Sequence, residues 1–172
     1  GDSFLLSAAV ANACCDFFRT YAGEESRIKW PNDIYWRDRK TGGILIENIV
    51  RNHRLAYSIV GIGLNINQTA FSSEHVNPVS LKQITGKSYN PVYLAKELCI
   101  VLNTHYSRIQ TARPGIIEHY NNNLYKLDSQ VKLRKANTVF ETTIKGVSSL
   151  GRLVTKDAVD REFNFGEVEW LL

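Results

Sequence analysis

Hydrophobic and polar positions divide the chain into an apolar helix, a set of short strand-like runs, further helical stretches and a second set of alternating runs. The first helix buries Leu5, Leu6, Ala9, Val10, Ala13, Phe17 and Phe18; Asp2 or Ser3 can cap it and Gly23 can stop it. Being apolar on most sides, it belongs beneath or between sheets. Residues 27 to 67 read as β-runs, "RIKW" with "IYW", "GILIENI" and "LAYSIVGIGLNIN", separated by turn-like "PND", "RDRKTG" and "VRNHR". Connections this short predict an antiparallel meander.

Residues 68–78 lack any period and predict a surface loop, followed by a helical turn "SLKQITG" ending at Gly86. Asn90 and Pro91 then suit the N-cap and first turn of a helix carrying Leu94, Leu98, Val101, Leu102 and Ile109. A shorter helix is expected over residues 116–125. From Asp128 the texture changes to "QVKLRK", "VFETTIKGV", "GRLVTKD" and "EFNFGEVEWL", joined by Gly and Asp turns, the pattern of a small β-barrel. The fold class expected is α+β: a mixed, mainly antiparallel sheet with packed helices over residues 1–125, and a small barrel over residues 126–172.

The run "SIVGIGLNIN" has two unlike faces, because side chains alternate along a strand. One carries Val60, Ile62, Leu64 and Ile66. The other carries Ile59, Gly61, Gly63, Asn65 and Asn67, a bared surface on which a flat molecule can lie, with amides at its edge. Gly42 and Gly43 admit the same reading, or a turn that needs positive φ. Lys40 precedes that pair, and an ammonium there can hold a phosphate and a carboxylate together as their charges converge. Asp33 can orient it. The competing reading of "RDRK" is a solvated hairpin tip, and Trp30 and Trp36 are more often packing residues than ligand platforms.

Composition narrows these options. The 172 residues suit one main domain with a small appendage. The net charge of +4 is scattered, without the basic stripe of a nucleic-acid binder. The run from Phe4 to Phe18 is too short and too polar for a membrane span. Three cysteines, two of them adjacent at Cys14 and Cys15, suit reduced thiols and a cytoplasmic setting. No spacing resembles a metal site, and His53, His75, His105 and His119 have no paired spacing, so each reads as structural or exposed.

Taken in order, "KWPNDIYW", "RKTGGILIE", "SIVGIGLNIN" and "SLKQITGK" resemble the signature segments of biotin protein ligases, with similar gaps, and the likeness runs from about Phe4 to Leu172. The resemblance implies the biotin ligase catalytic fold, akin to class II aminoacyl-tRNA synthetases, with a C-terminal barrel of the Src-homology-3 type. It implies activation of biotin by ATP, with Mg as accompanying ion and no prosthetic group, and transfer to a lysine of a biotin carboxyl carrier domain. Lys40 matches the family's catalytic lysine; Asn32, Asp33 and Asn65 match nucleotide-side positions; Gly43, Gly61 and Gly63 match positions facing biotin. A homodimer is also compatible with the family, whereas nucleic-acid and membrane partners are not expected.

The family's Gly-Arg-rich loop, upstream of its counterpart of the first helix, has no match within these residues. The expectation is therefore the C-terminal part of the catalytic domain plus the barrel, weakly active or inactive by itself. Two alternatives stand beside this reading. One is a lipoate or octanoate ligase or transferase of the same fold group; the other is a non-catalytic ligand-binding or interaction module.

Overall fold

The computed structural model describes residues 2–52, 54–72 and 77–171. His53, His75 and residues 73–76 of the expected 68–78 loop lie outside the described residues, as do the side chains proposed to cap the first helix. The chain opens with α1 (Asp2–Ala22), then β1 (Ser26–Lys29), β2 (Asp33–Trp36), β3 (Arg39–Arg51) and β4 (Arg54–Leu64). Three helices follow: α2 (Leu81–Thr85), α3 (Pro91–Thr111) and α4 (Arg113–Asn122). The last part contains β5 (Gln130–Lys135), β6 (Thr138–Val147), β7 (Leu153–Lys156), β8 (Asp160–Phe163) and β9 (Glu169–Leu171).

Strands β1 to β4 form an antiparallel sheet in sequence order, the meander that their short connections require. Helix α1 contacts β1, β2 and β3 on one side and α2, α3 and α4 on the other. That sandwiching explains a helix apolar on most of its surface. Phe18 and Cys14 are fully enclosed and Phe17 is nearly so. Burying each phenylalanine contributes about 1.5–3 kcal/mol. Gly23 ends the helix at φ 85°, where its N–H reaches the Arg19 carbonyl at 2.8 Å.

The other helices start where their caps predict. Ser80 and Gln83 form a reciprocal capping box for α2, and Gly86 closes it in the left-handed region. The Asn90 side chain accepts from the N–H groups of Val92 and Tyr93 at the start of α3. Helix α4 starts at Arg113, three residues before the expected position, because Pro114 suits its first turn.

The C-terminal strands make one antiparallel sheet in the order β8-β7-β6-β5-β9. Among the described residues no pairing joins β8 to β9, so the expected barrel is seen here as a sheet with those two short strands at its edges. The two sheets are tied together: Trp30 Nε1 donates to the Gly151 carbonyl at 3.0 Å. Asn121 of α4 accepts from the Val147 N–H at 2.7 Å and donates to its carbonyl at 3.1 Å. A single buried apolar cluster accordingly runs from Leu5 and Ile44 to Leu133 and Leu153.

Candidate functional site

One transverse row crosses the whole first sheet. Lys29 pairs with Asp33, Asp33 with Gly43, and Gly43 with Gly63. Directly paired residues of antiparallel strands project from the same face. This is the face turned away from α1, since the neighbouring residues Ile34 and Ile44 enter the buried cluster.

Lys40 joins that face through an irregularity. Ile34 pairs with Gly42 and Tyr35 with Lys40, which leaves Thr41 as the extra residue of a β-bulge. Plain alternation would put residues 40 and 43 on opposite faces; the bulge brings them to one. Thr41 is fully buried and its hydroxyl donates to the Ile34 carbonyl at 3.0 Å, fixing the irregularity.

The Lys40 ammonium lies 2.6 Å from Asp33 Oδ1, with the lysine side chain 40% and the aspartate side chain 20% exposed. A Cβ added to Gly43 would lie 3.2 Å from that Oδ1 and 3.6 Å from Lys40 Nζ, so the glycine leaves the pair its space. Above Gly63 the surface is more open: an added Cβ would find only a backbone oxygen, 4.0 Å away. These residues border a cavity of about 940 Å³.

Asn65 lies just beyond β4, where its N–H donates to the Thr41 carbonyl at 2.7 Å. Its amide side chain donates to the carbonyls of Lys40 at 3.4 Å and Val79 at 3.3 Å. The Lys40 N–H meanwhile donates to the Asn77 carbonyl at 3.0 Å, and its carbonyl accepts from Val79 N–H at 2.9 Å. The segment leaving the 68–78 loop thus grips the backbone of Lys40 from both sides, with Arg39 adding a 2.6 Å bond to the Pro78 carbonyl.

The cavity brings together Lys40, Asp33, Gly43, Gly63 and Asn65. It does not include two other expected site residues. Asn32 donates its side-chain amide to the Ile44 carbonyl at 2.7 Å and borders a smaller cavity of about 310 Å³ beside Leu45 and Phe165. Gly61 pairs with the exposed Leu45, farther along the same open face. Of the opposite face of β4, Ile62, Leu64 and Ile66 pack against the core, while Val60 at 36% exposure does not. Trp30 and Trp36 are packing residues, and the Trp36 indole N–H bonds the Ala22 carbonyl at 3.0 Å.

Lys29, Tyr35 and Trp170 also line the cavity, and the sequence reading did not single them out as site residues. Lys29 and Asp33 flank the Pro31 turn symmetrically, a signal that was there to use. Trp170 had none, because it arrives from β9 near the end of the chain. The Lys29 ammonium lies 5.2 Å from the Tyr35 ring centroid and 5.4 Å from that of Trp170. Burial lowers its pKa, opposed by the nearby Asp33 and reinforced by Lys40. Burial likewise pushes Tyr35 up to about 12.

The two described histidines lie away from this face. His105 Nε2 and His119 Nε2 approach Asp16 Oδ2 at 3.0 and 2.9 Å, joining α3 and α4 to α1. Their role is structural, as expected. Among the described residues no group of three His, Cys, Asp or Glu side chains is disposed to hold a metal ion, and no helix is long and apolar enough to cross a membrane.

Residues 3–65 match the model of the Biotin/lipoate A/B protein ligase family. The chain is 31% identical over 109 residues to the bifunctional ligase/repressor BirA of Bacillus spizizenii, covering 62% of this chain and 34% of that protein. It is 37% identical over 65 residues to biotin–protein ligase 2 of Arabidopsis thaliana, covering 38% and 19% respectively. The matches therefore span about a third or less of the length of these relatives. Among solved structures, the Aquifex aeolicus biotin protein ligase in complex with biotin and ATP superposes with a TM-score of 0.80 at 21% identity. That likeness covers 98% of this chain and 71% of the other, and it establishes the fold.

Proposed function

We propose that the chain belongs to the biotin/lipoate ligase family, whose model matches residues 3–65, and that it serves the ATP-dependent activation of biotin to biotinyl-adenylate and the transfer of biotin to a lysine of a carboxyl carrier domain. The observation that carries this reading is the Lys40 ammonium over the glycine-bared row of Gly43 and Gly63. A carboxylate and an α-phosphate repel as they approach, and a fixed cation between them lowers the energy most where their charges meet. The carboxylate oxygen attacks the α-phosphorus, the bond to the bridging oxygen breaks, and its electron pair leaves with pyrophosphate. An acceptor amine then attacks the acyl carbon of the mixed anhydride, releasing AMP.

Asp33 holds Lys40 in line before substrate arrives, at 2.6 Å. Asn65 and residues 77–79 fix its backbone, and the glycines admit the fused ring system of biotin to the sheet. ATP would enter as its magnesium complex, the ion supplying charge neutralisation at the phosphates. Gly61 lies farther along the same open face, and Asn32 borders the smaller cavity beside it. Adjacent reduced cysteines suit the cytoplasm as the compartment.

The test is calorimetric titration of biotin, lipoate and a non-hydrolysable biotinyl-adenylate analogue into the chain and into Lys40→Ala. Binding of biotin and its analogue in preference to lipoate is expected, with the analogue weakened at least about tenfold by the substitution through loss of a charged hydrogen bond. Preference for lipoate would redirect the assignment within the fold group, and no ligand heat sensitive to Lys40 would favour a non-catalytic module.

A further inference from the structure

Two lysines, Lys29 and Lys40, and two carboxylates line the large cavity, but they are not paired one to one. Its two carboxylates are both engaged: Asp33 with Lys40 at 2.6 Å, and Glu169 with Arg134 at 3.0 Å. Lys29 makes no salt bridge among the described residues. Its ammonium is instead flanked by the rings of Tyr35 and Trp170, 5.2 and 5.4 Å from their centroids. Aromatic faces hold a cation in place without neutralising it.

Resting on the ligase reading above, we propose that Lys29 binds the β- and γ-phosphates of ATP and the pyrophosphate that they become. The register supports this placement, since Lys29 stands directly opposite Asp33, whose other neighbour is the Lys40 ammonium. Lys29 on β1 and Lys40 on β3 share one face with Asp33 of β2 between them, two strand spacings or roughly 10 Å apart across the sheet. A nucleotide whose α-phosphate lies at Lys40 can direct its remaining phosphates along the row toward Lys29. When the bond to the α-phosphorus breaks, the departing pyrophosphate gains negative charge, and a poorly hydrated ammonium stabilises that charge more than one in bulk water.

Trp170 gives the proposal a second element. It comes from the C-terminal sheet, and together with Tyr35 it holds the lysine stem over the cavity, so the second sheet contributes to phosphate binding without supplying a charge to it. The bland alternative is that Lys29 merely fastens β9 to the first sheet. The two readings predict different results.

Inorganic pyrophosphate and, separately, biotin are titrated calorimetrically into the chain and into Lys29→Met and Lys29→Arg, with thermal melts alongside. Methionine keeps the straight apolar stem between the rings and removes the charge; arginine keeps the charge. Pyrophosphate affinity should fall about tenfold or more in Lys29→Met, the loss of a charged hydrogen bond, and remain within about threefold in Lys29→Arg. Equal pyrophosphate binding by Lys29→Met and the parent chain, or none by the parent chain, overturns the proposal. Biotin titration reports separately on the ligase reading: a chain that ignores biotin yet binds pyrophosphate through Lys29 keeps the anion site and loses the ligase assignment. If Lys29→Met does not fold, Lys29→Gln gives the same comparison.

Discussion

Replacing Gly43 with alanine should separate ligand binding from stability. The new Cβ would lie 3.2 Å from Asp33 Oδ1 and 3.6 Å from Lys40 Nζ. Something must yield, and the movable atoms belong to the ion pair. The stability terms are small and opposed. Alanine gains about 0.4–1 kcal/mol by restricting the unfolded chain, while loosening a partly exposed ion pair costs about 0–1 kcal/mol. The net change is within about 1 kcal/mol, a shift of no more than about 4 °C in Tm for a chain of this length.

Binding is expected to respond far more strongly. If Lys40 no longer reaches the acyl-phosphate group of a biotinyl-adenylate analogue, about 1.5–3 kcal/mol of charged hydrogen bonding is lost, a roughly ten- to hundredfold weaker Kd. Calorimetric titration with thermal melting measures both. Gly115→Ala is the control, because its Cβ would find nothing within 4 Å, and Gly115 lies on α4, outside the large cavity. Unchanged analogue affinity in a folded Gly43→Ala protein would refute the claim that this glycine exists to leave the lysine its place.

Two further outcomes follow from the same geometry. Gly63→Val should leave the fold intact, because an added Cβ meets only a backbone oxygen at 4.0 Å, yet it should weaken biotin by about tenfold or more as the branched side chain occupies the open face; titration by intrinsic Trp fluorescence reads this directly. Acid should loosen the helical layer through Asp16. Burial raises its pKa, but hydrogen bonds from His105 and the charge and hydrogen bond of His119 outweigh that and hold it below the ordinary 3.8. The unfolded chain therefore takes up this proton first as pH falls. The stabilisation is complete above the ordinary value and is lost as pH drops through the lowered one. Asp16→Asn should flatten that part of a pH–melting profile, and an unaltered acid slope would count against the cluster.

The order of elements was legible because local chemistry fixes it. Asn90 before Pro91, Ser80 before Gln83 and Gly86 after the turn each satisfy backbone groups within a few residues, so the caps lie where the pattern predicts. Short turns between residues 27 and 67 could only connect antiparallel neighbours. The bared face of β4 was equally visible, because strand alternation is itself local. Closure of the C-terminal strands was expected from alternation alone, but alternation specifies which face is buried and not which edges meet.

What sequence alone determined, then, was a glycine-cleared strand beside a lysine, together with the family signature that relates them. Which face the lysine uses was decided only in three dimensions. The extra residue at Thr41 reverses the alternation between Lys40 and Gly43, and a bulge is a property of two paired strands rather than of one. Tertiary structure also brought Trp170 to Lys29 across 141 positions of the chain, and Pro78 back to Lys40. Such meetings depend on how sheets and loops pack, for which no periodicity in a single segment carries a signal.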